Sequence, residues 1–244
     1  MTRLIEITTQ GSTAVLAMNS LENRHNPEFL AEFNQHLDTI ESDQAIKSIV
    51  LTSTSDKNWS LGIDLEWMSQ PTNTAEGINE FMTGVTGLLK RLVTFPMPII
   101  AALNGHAYGN GAVLACACDF RFMKSDKGFF CFPEVDVLVP FFPSMFPLIN
   151  KAVPQALFNR LAMSGQRIGA QVLLDHNVVE GIFANNDELQ TGVLEFAKSF
   201  NKNRWIYGQN KTQMNKQILR TMKEEDSSFI DNMSKMLWKK LQKK

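Results

Sequence analysis

Residues 98–142 read PIIAALNGHAYGNGAVLACACDFRFMKSDKGFFCFPEVDVLVPFF, and this stretch decides both the fold and the candidate site. The opening run PIIAAL is typical of a buried strand, and the turn NGHAYGNG interrupts it with three glycines and two asparagines. The small and apolar run AVLACACDF then predicts a short buried helix. We therefore expect a strand, a glycine-bearing turn and the start of a helix in direct succession.

This succession has a chemical consequence, because the first N–H groups of a helix have no acceptor within it and stabilise negative charge. Further along the chain, Glu134 lies inside the apolar run FFCFPEVDVLVPFF. We read this run as extended, and we expect burial to raise the pKa of Glu134, as a general base requires. Donors for an anion beside such a base predict removal of a proton next to a carbonyl group.

Two alternatives apply to this carboxylate segment. Glu134 is either the base described above or a carboxylate at the end of a strand that reaches solvent or pairs with a distant lysine or arginine. Asp136 shares a face with it in an extended segment, since side chains two positions apart point the same way. Asp136 is then either a second carboxylate of the site or a cap for the following turn.

The rest of the chain predicts strands and helices in alternation. Strands are predicted at 3–18, with a turn at Gln10-Gly11, and at 49–52 and 178–183; loops are predicted at 21–27 and 53–64. Helices are predicted from residue 28 onward, at 76–93, 145–150, 155–163 and 170–176, and from 187 to the end. This order predicts an α/β fold with partly parallel pairing. A boundary near residue 195 separates a core, 1–195, from a C-terminal helical region, 196–244.

Composition narrows the class of protein. The chain has 244 residues, 44% of them apolar, and a net charge of −1, which favours one globular unit and gives no indication of nucleic-acid binding. Cys116 and Cys118 would point to different faces of a helix, so we interpret them as core residues rather than metal ligands. We find no secretory signal, no apolar run of roughly 20 residues and no C-terminal Ser-Lys-Leu, and we expect a cytoplasmic protein without membrane contact.

Several cofactor and catalytic motifs are excluded. A dinucleotide-binding G-x-G-x-x-G after Gly109 would need glycine at Leu114, and P-loop, His-Glu-x-x-His and Gly-x-Ser-x-Gly motifs are lacking from the sequence. The histidines lack metal-type spacing; they are His25, His36, His106 and His176. We interpret His106, in the central turn, as a packing residue. We expect no metal and no redox cofactor.

Four segments, in the same order, resemble motifs of the crotonase family, the enoyl-CoA hydratases and isomerases. WSLGIDLEWM (59–68) resembles F-S-A-G-A-D-L-x-x-M, and residues 96–122 resemble P-K-P-v-I-A-A-v-n-G-x-A-x-G-G-G-x-x-L-a-l-x-C-D. FCFPEVDVLVP (130–140) resembles F-x-x-P-E-x-x-l-G-l-x-P, and residues 163–183 resemble the tG-x-x-i-x-A-x-e-A region that follows. ENRHNPEFL (22–30) is similar to Δ3,Δ2-enoyl-CoA isomerases of the plant peroxisomal type.

The resemblance implies a spiral of ββα turns, a helical region that forms a homotrimer or a dimer of trimers, and an acyl-CoA substrate. It implies that the N–H groups of Ile63 and Asn110 bind the thioester oxygen as an oxyanion hole. Asn110 departs from the glycine of the motif but keeps its N–H and tolerates left-handed backbone. The substrate or CoA is expected against a further set of residues: Arg24, Lys57, Ser60, Leu61, Gly62, Asp64, Gly109 and Val113.

Val113 is the departure that discriminates between reactions. Hydratases of the family carry a second glutamate there, and adding water requires a water held between two carboxylates. With valine at 113, Glu134 alone can move a proton from C2 to C4, while the apolar run around it excludes water. We therefore predict a Δ3,Δ2-enoyl-CoA isomerase that needs no cofactor besides the CoA of its substrate. The alternatives are hydration or thioester hydrolysis with Asp136 or Asp64 as second carboxylate, and a homologue that binds acyl-CoA without catalysis.

Overall fold

The computed structural model describes residues 3–241. The strands are β1 (Ile5–Gln10), β2 (Thr13–Met18), β3 (Arg24–His25), β4 (Ser48–Ser53), β5 (Asn58–Ser60), β6 (Gly62–Ile63), β7 (Ile99–Leu103), β8 (His106–Tyr108), β9 (Phe120–Lys124), β10 (Phe130–Cys131) and β11 (Gly181–Phe183). The helices are α1 (Pro27–Ser42), α2 (Leu65–Met68), α3 (Ala75–Thr94), α4 (Asn110–Ala117), α5 (Glu134–Val137), α6 (Met145–Asn150), α7 (Gln155–Ser164), α8 (Ala170–Asp175), α9 (Asn186–Lys198), α10 (Arg204–Met214), α11 (Lys216–Thr221), a π-helical turn (Met222–Asp226) and α12 (Ser227–Leu241).

The strands form a repeating pattern across two principal sheets. The large sheet has the order β1-β2-β4-β7-β9-β11, and the small sheet has the order β10-β8-β5. β1 and β2 pair antiparallel, whereas the other neighbours in both sheets pair parallel. Each repeat therefore places one strand in the large sheet and the next in the small sheet before a helix follows, as in β4-β5, β7-β8 and β9-β10. This is the predicted succession of ββα turns.

The large sheet separates two apolar layers. On one face α9 contributes Leu189, Val193 and Ala197, which pack with Val50 and Ile100 of the central strands. On the other face α1, α3 and α4 form the main core, and α4 is buried along its whole length. The candidate turn therefore begins a helix that has no exposed face.

The C-terminal helices pack back on this core. α10 and α12 both contact α3, and α11 contacts α6. Asn215, after α10, donates from Nδ2 to the carbonyl oxygen of Val93 at 2.8 Å, and Lys211 of α10 pairs with Asp119 at 2.6 Å. The helical region thus extends the core of the same chain through buried polar contacts.

Several sequence predictions are confirmed and three are wrong. The hairpin of β1 and β2, the helices α1 and α3 and the strand β7 lie where predicted. The predicted loops hold short strands, β3 in 21–27 and β5 and β6 in 53–64. The β3–β6 and β5–β8 pairings comprise two residue pairs each, and strands this short show little of the apolar alternation that predicts a strand. The segment of Glu134 is helical rather than extended: α5 is one turn that ends at Leu138 in the left-handed region, φ 59°.

Candidate active site

The site begins where the turn after β8 meets β6. Gly109 caps α4 with φ 54°, so Asn110 occupies the first position of the helix, where a backbone N–H has no intrahelical acceptor. A Cβ added at Gly62 would lie 2.7 Å from the nitrogen of Asn110, so only glycine allows the two backbones to approach this closely. Ile63 follows Gly62 directly. The two predicted donor residues, Ile63 and Asn110, are therefore brought together.

Glu134 lies across from this turn as the first residue of α5. Its Oε1 lies 3.6 Å from the point that a Cβ on Gly109 would occupy. Its Oε2 is buried and has no hydrogen-bond partner among the described residues. Burial raises the pKa of Glu134 from 4.5 to about 8, and a hydrogen bond from its own backbone N–H offsets this only in part. The predicted rise of this pKa is confirmed, although the segment is helical.

One cavity joins these groups. It has a volume of about 340 Å³ and includes Ile63, Asn110 and Glu134 in its lining. The complete lining is Arg24, Leu61, Ile63, Leu65, Tyr108, Gly109, Asn110, Cys131, Pro133, Glu134, Asp136, Val137, Val139, Gly165 and Arg167. Burial raises the pKa of the Cys131 thiol to about 11, which leaves it protonated near neutral pH. The raised pKa of about 8 allows the Glu134 carboxyl to exchange a proton near neutral pH.

A small apolar chamber of about 40 Å³ continues beyond the carboxylate. It shares Ile63, Asn110, Glu134 and Val139 with the 340 Å³ cavity, and its other walls are Met82, Pro140, Phe141, Phe142 and Met145. Phe141 and Phe142 belong to the apolar run around Glu134, whereas Phe130 and Phe132 of the same run are core residues without exposed surface. Glu134 therefore lies between an open cavity and an apolar chamber.

Several residues expected against the substrate are not in this lining. Ser60 is buried and accepts a hydrogen bond from the N–H of Gly62 at 3.1 Å. Asp64 caps α2 by accepting from the N–H of Trp67 at 2.9 Å. Val113 is a core residue of α4 without exposed surface, and Lys57 lines a separate cavity. Arg24, Leu61, Gly109 and Asp136 do lie in the lining.

Two residues of the site were missed by sequence reasoning. Arg167 lies in the cavity lining with its guanidinium 5.5 Å from the ring centroid of Tyr108. His25 is fully buried with its Nδ1 2.8 Å from Nδ2 of Asn110. Sequence proximity gives no signal for either contact, because 59 and 85 positions separate the partners. The sequence did contain one indication for Arg167, because it is a cation within the segment 163–183 that resembles a family motif.

A larger cavity, about 740 Å³, lies elsewhere, between α6, α10 and the start of β9. Asp119, Lys151 and Lys211 are among its lining residues, and it includes neither Glu134 nor the turn at Asn110. We assign the site to the smaller cavity, because a buried base and helix-start amides meet there. The described residues contain no group of three His, Cys, Asp or Glu side chains placed to hold a metal ion. Every helix within residues 3–241 is too short or too polar to cross a bilayer.

Comparison with known proteins agrees with this geometry. The sequence model described as "Enoyl-CoA hydratase/isomerase" matches residues 8–244. The chain therefore belongs to the enoyl-CoA hydratase/isomerase family. Its fold is the crotonase-type α/β fold, as the sequence predicted: the human mitochondrial delta3-delta2-enoyl-CoA isomerase superposes with a TM-score of 0.89 at 18% identity, over 98% of this chain and 96% of that one.

Relatives within the family carry names of both reactions. The chain is 29% identical over 172 residues to enoyl-CoA delta isomerase 2, peroxisomal, of Arabidopsis thaliana, covering 68% of this chain and 71% of that protein. It is also 29% identical over 187 residues to a short-chain-enoyl-CoA hydratase of Clostridium acetobutylicum, covering 75% of this chain and 69% of that one. The choice between isomerisation and hydration therefore depends on the residues of the site.

Proposed function

We propose that this protein is a Δ3,Δ2-enoyl-CoA isomerase in fatty-acid metabolism. The observation that carries the proposal is the carboxylate of Glu134 in the cavity that Ile63 and Asn110 also line, with Oε2 buried and without a hydrogen-bond partner in the part of the chain that the structure describes. A carboxylate that is costly to ionise is a strong base once it is ionised. Its position next to the amides of a helix start suits a reaction that moves negative charge onto an oxygen.

The proposed reaction uses one base in two steps. The Glu134 carboxylate takes the proton from C2 of a 3-enoyl thioester, and the C–H electron pair delocalises into the thioester carbonyl to give a dienolate. The N–H groups of Ile63 and Asn110 bind the oxygen of this dienolate; loss of one such donor typically costs about 3 kcal/mol of barrier. The protonated carboxyl then returns the proton to C4, which leaves the double bond between C2 and C3.

Two of the three positions considered for a second carboxylate, residues 113 and 64, do not provide a free one, which supports isomerisation over hydration. Val113 offers no acceptor, and it is packed in the core. Asp64 is occupied as the cap of α2. Asp136 does line the cavity, and this observation keeps hydration or thioester hydrolysis as the second candidate function. A homologue that only binds acyl-CoA is less well supported. Phe141 and Phe142 line the apolar chamber and do not fill the 340 Å³ cavity, which remains open beside Glu134.

We propose contacts for two parts of an acyl-CoA, its phosphates and its acyl chain. We assign the phosphates of CoA to Arg24 and Arg167, in preference to Lys57, which lines a separate cavity. We assign the acyl chain to the apolar chamber bounded by Phe141 and Phe142. No cofactor beyond the CoA of the substrate enters this scheme. We further propose that the protein is a homotrimer or a dimer of trimers, and light scattering in solution tests this oligomeric state directly. We also propose that it is cytoplasmic.

The test compares isomerisation of trans-3-hexenoyl-CoA with hydration of crotonyl-CoA. We expect Glu134→Gln to lower isomerisation about a thousandfold, with negligible hydration by either protein. Glu80→Gln, the same change at an exposed position of α3, is the matched control and should keep the wild-type rate.

Two outcomes would contradict the proposal. Rapid hydration by the wild type that is lost in Asp136→Asn would support the second candidate function. Acyl-CoA binding without turnover of either substrate would place the protein among non-catalytic homologues.

A further inference from the structure

A fully buried imidazole links the two segments that carry the proposed donors. His25, on β3, has no exposed surface, and its ring stacks on that of Phe29 with the centroids 4.6 Å apart. Its Nδ1 lies 2.8 Å from Nδ2 of Asn110, and its Nε2 lies 2.9 Å from Oγ of Ser60. The ring therefore bridges the start of α4 and the end of β5.

The direction of each hydrogen bond follows from the groups present. Nδ2 of Asn110 can only donate, so Nδ1 of His25 accepts, and a neutral ring then carries its proton on Nε2. This proton is donated to Oγ of Ser60, which donates in turn to the carbonyl oxygen of Asn23 at 2.8 Å. If Oδ1 of Asn110 faced His25 instead of Nδ2, the ring proton would have to be on Nδ1. Ser60 would then donate its only hydroxyl proton to Nε2 of His25, and the carbonyl oxygen of Asn23 would lose this donor. Burial lowers the pKa of His25 to about 3, which keeps the ring neutral.

The same hydroxyl reaches the second donor segment. Oγ of Ser60 also accepts from the N–H of Gly62 at 3.1 Å, and Ile63 is the next residue. One continuous chain of hydrogen bonds thus runs from the side chain of Asn110 through His25 and Ser60 to the backbone directly before Ile63. Its two ends lie on Asn110 and on Gly62, so each end adjoins one of the two proposed backbone donors.

We propose that His25 is a positioning residue that fixes the spacing of the amides of Ile63 and Asn110, an inference that rests on the proposed function. Its role follows from the asparagine side chain, because asparagine readily bonds to nearby backbone groups and would compete there with the substrate oxygen. Oδ1 of Asn110 is buried and has no partner among the described residues, so the carboxamide makes no such bond. His25 holds Nδ2 and thereby leaves the backbone N–H free for the dienolate.

A double-mutant cycle tests this coupling. His25→Phe keeps a ring against Phe29 and removes both hydrogen bonds; we expect kcat for trans-3-hexenoyl-CoA to fall at least about tenfold, with KM changed less than about threefold. In the Asn110→Gly background no carboxamide remains to be held and only the hydrogen bond to Ser60 is lost, so the same change should lower kcat by a smaller factor than in the Asn110 background. His25→Gln, which can accept from Asn110 and donate to Ser60, should restore most of the activity.

The control variant removes a buried hydrogen bond elsewhere. Thr13→Ala deletes a buried hydroxyl that hydrogen-bonds to Oγ of Ser48 at 2.9 Å, outside both cavities of the site. We expect it to lower the unfolding midpoint while kcat stays unchanged, so a general loss of stability is separated from misplaced donors. If His25→Phe does not fold, Ser60→Ala, which removes the partner of Nε2 of His25, should lower kcat in the same way.

A measurement without substrate distinguishes the network from the reaction. Nitrogen NMR of the His25 ring should show protonated Nε2, unprotonated Nδ1 and no titration between about pH 5 and 9. The opposite tautomer, unchanged kcat in His25→Phe, or an equal loss in both backgrounds would each overturn the positioning role while leaving the proposed function intact. A wild type that isomerises no 3-enoyl-CoA would refute the proposed function, and this role with it.

Discussion

Replacing Glu134 by glutamine should make the protein more stable at neutral and alkaline pH while removing its activity. Oε2 of this carboxyl is buried and has no hydrogen-bond partner within residues 3–241, so ionisation is unfavourable in the folded protein. Glutamine has nearly the same shape and carries no charge at any pH. The substitution therefore removes the cost of ionisation and keeps the packing of α5.

The size of the effect follows from the pKa. A carboxyl with a pKa raised on folding binds its proton more tightly when folded, so it favours folding below its unfolded pKa and loses that contribution as pH rises through the folded value. A rise from 4.5 to about 8, at about 1.4 kcal/mol per unit, costs the wild type ~3 kcal/mol near pH 7 and almost nothing near pH 4. The stability gained by Glu134→Gln should grow with pH over that range.

Urea unfolding measures this difference. Midpoints and slopes of wild type and Glu134→Gln are compared at about pH 4, 7 and 8.5, with the exposed change Glu80→Gln as control. We expect the unfolding midpoints of wild type and Glu134→Gln to converge at about pH 4, and the midpoint of Glu80→Gln to equal that of wild type at every pH. An equal difference at every pH would refute a raised pKa, and a wild type more stable than Glu134→Gln at pH 8.5 would mean that the carboxylate has a partner.

Three further predictions follow. The isomerisation kcat/KM should rise with pH through about 8 and then level off, because the base acts only when Glu134 is ionised; a flat profile from pH 5 to 9 would contradict this. Gly62→Ala should lower both stability and activity, since its Cβ would lie 2.7 Å from two backbone atoms, whereas Gly11→Ala has a similar positive φ with open space and should lose stability only. Arg167→Gln should raise KM for a CoA thioester more than for the pantetheine thioester, because the latter lacks the phosphates assigned to Arg167. An equal rise of KM for both thioesters would contradict this assignment, as would the same rise in the control Arg160→Gln at an exposed position.

The sequence predicts the ββα core well because its signals there are local. PIIAAL is apolar at every position, and β7 lies in the centre of the large sheet. Gly109 and Gly111 mark a turn that only residues without a Cβ allow, since a Cβ on Gly111 would meet the backbone of Ser60. Strand, turn and helix start are each specified within a few residues, and the position of the donors follows from them.

The missed features are set by contacts between distant segments. Val-Asp-Val after Glu134 alternates like a strand, but the structure bends it into a single helical turn between Pro133 and Leu138. Tertiary packing overrides a two-residue period in a segment this short. His25 gives no signal in a single sequence, because its partners Asn110 and Ser60 reach it only after β3, β5 and α4 have assembled.

The helical form of α5 changes how Asp136 bears on the reaction. In an extended segment Asp136 and Glu134 would share a face and could hold one water between them. In a helix, two positions correspond to a rotation of about 200°, so the two carboxylates diverge. Asp136 is exposed and contacts Gly165, whereas Oε2 of Glu134 is buried. Asp136 lines the same cavity as Glu134, but its divergence from Glu134 favours the proposed isomerisation by a single base over hydration with Asp136 as the second carboxylate.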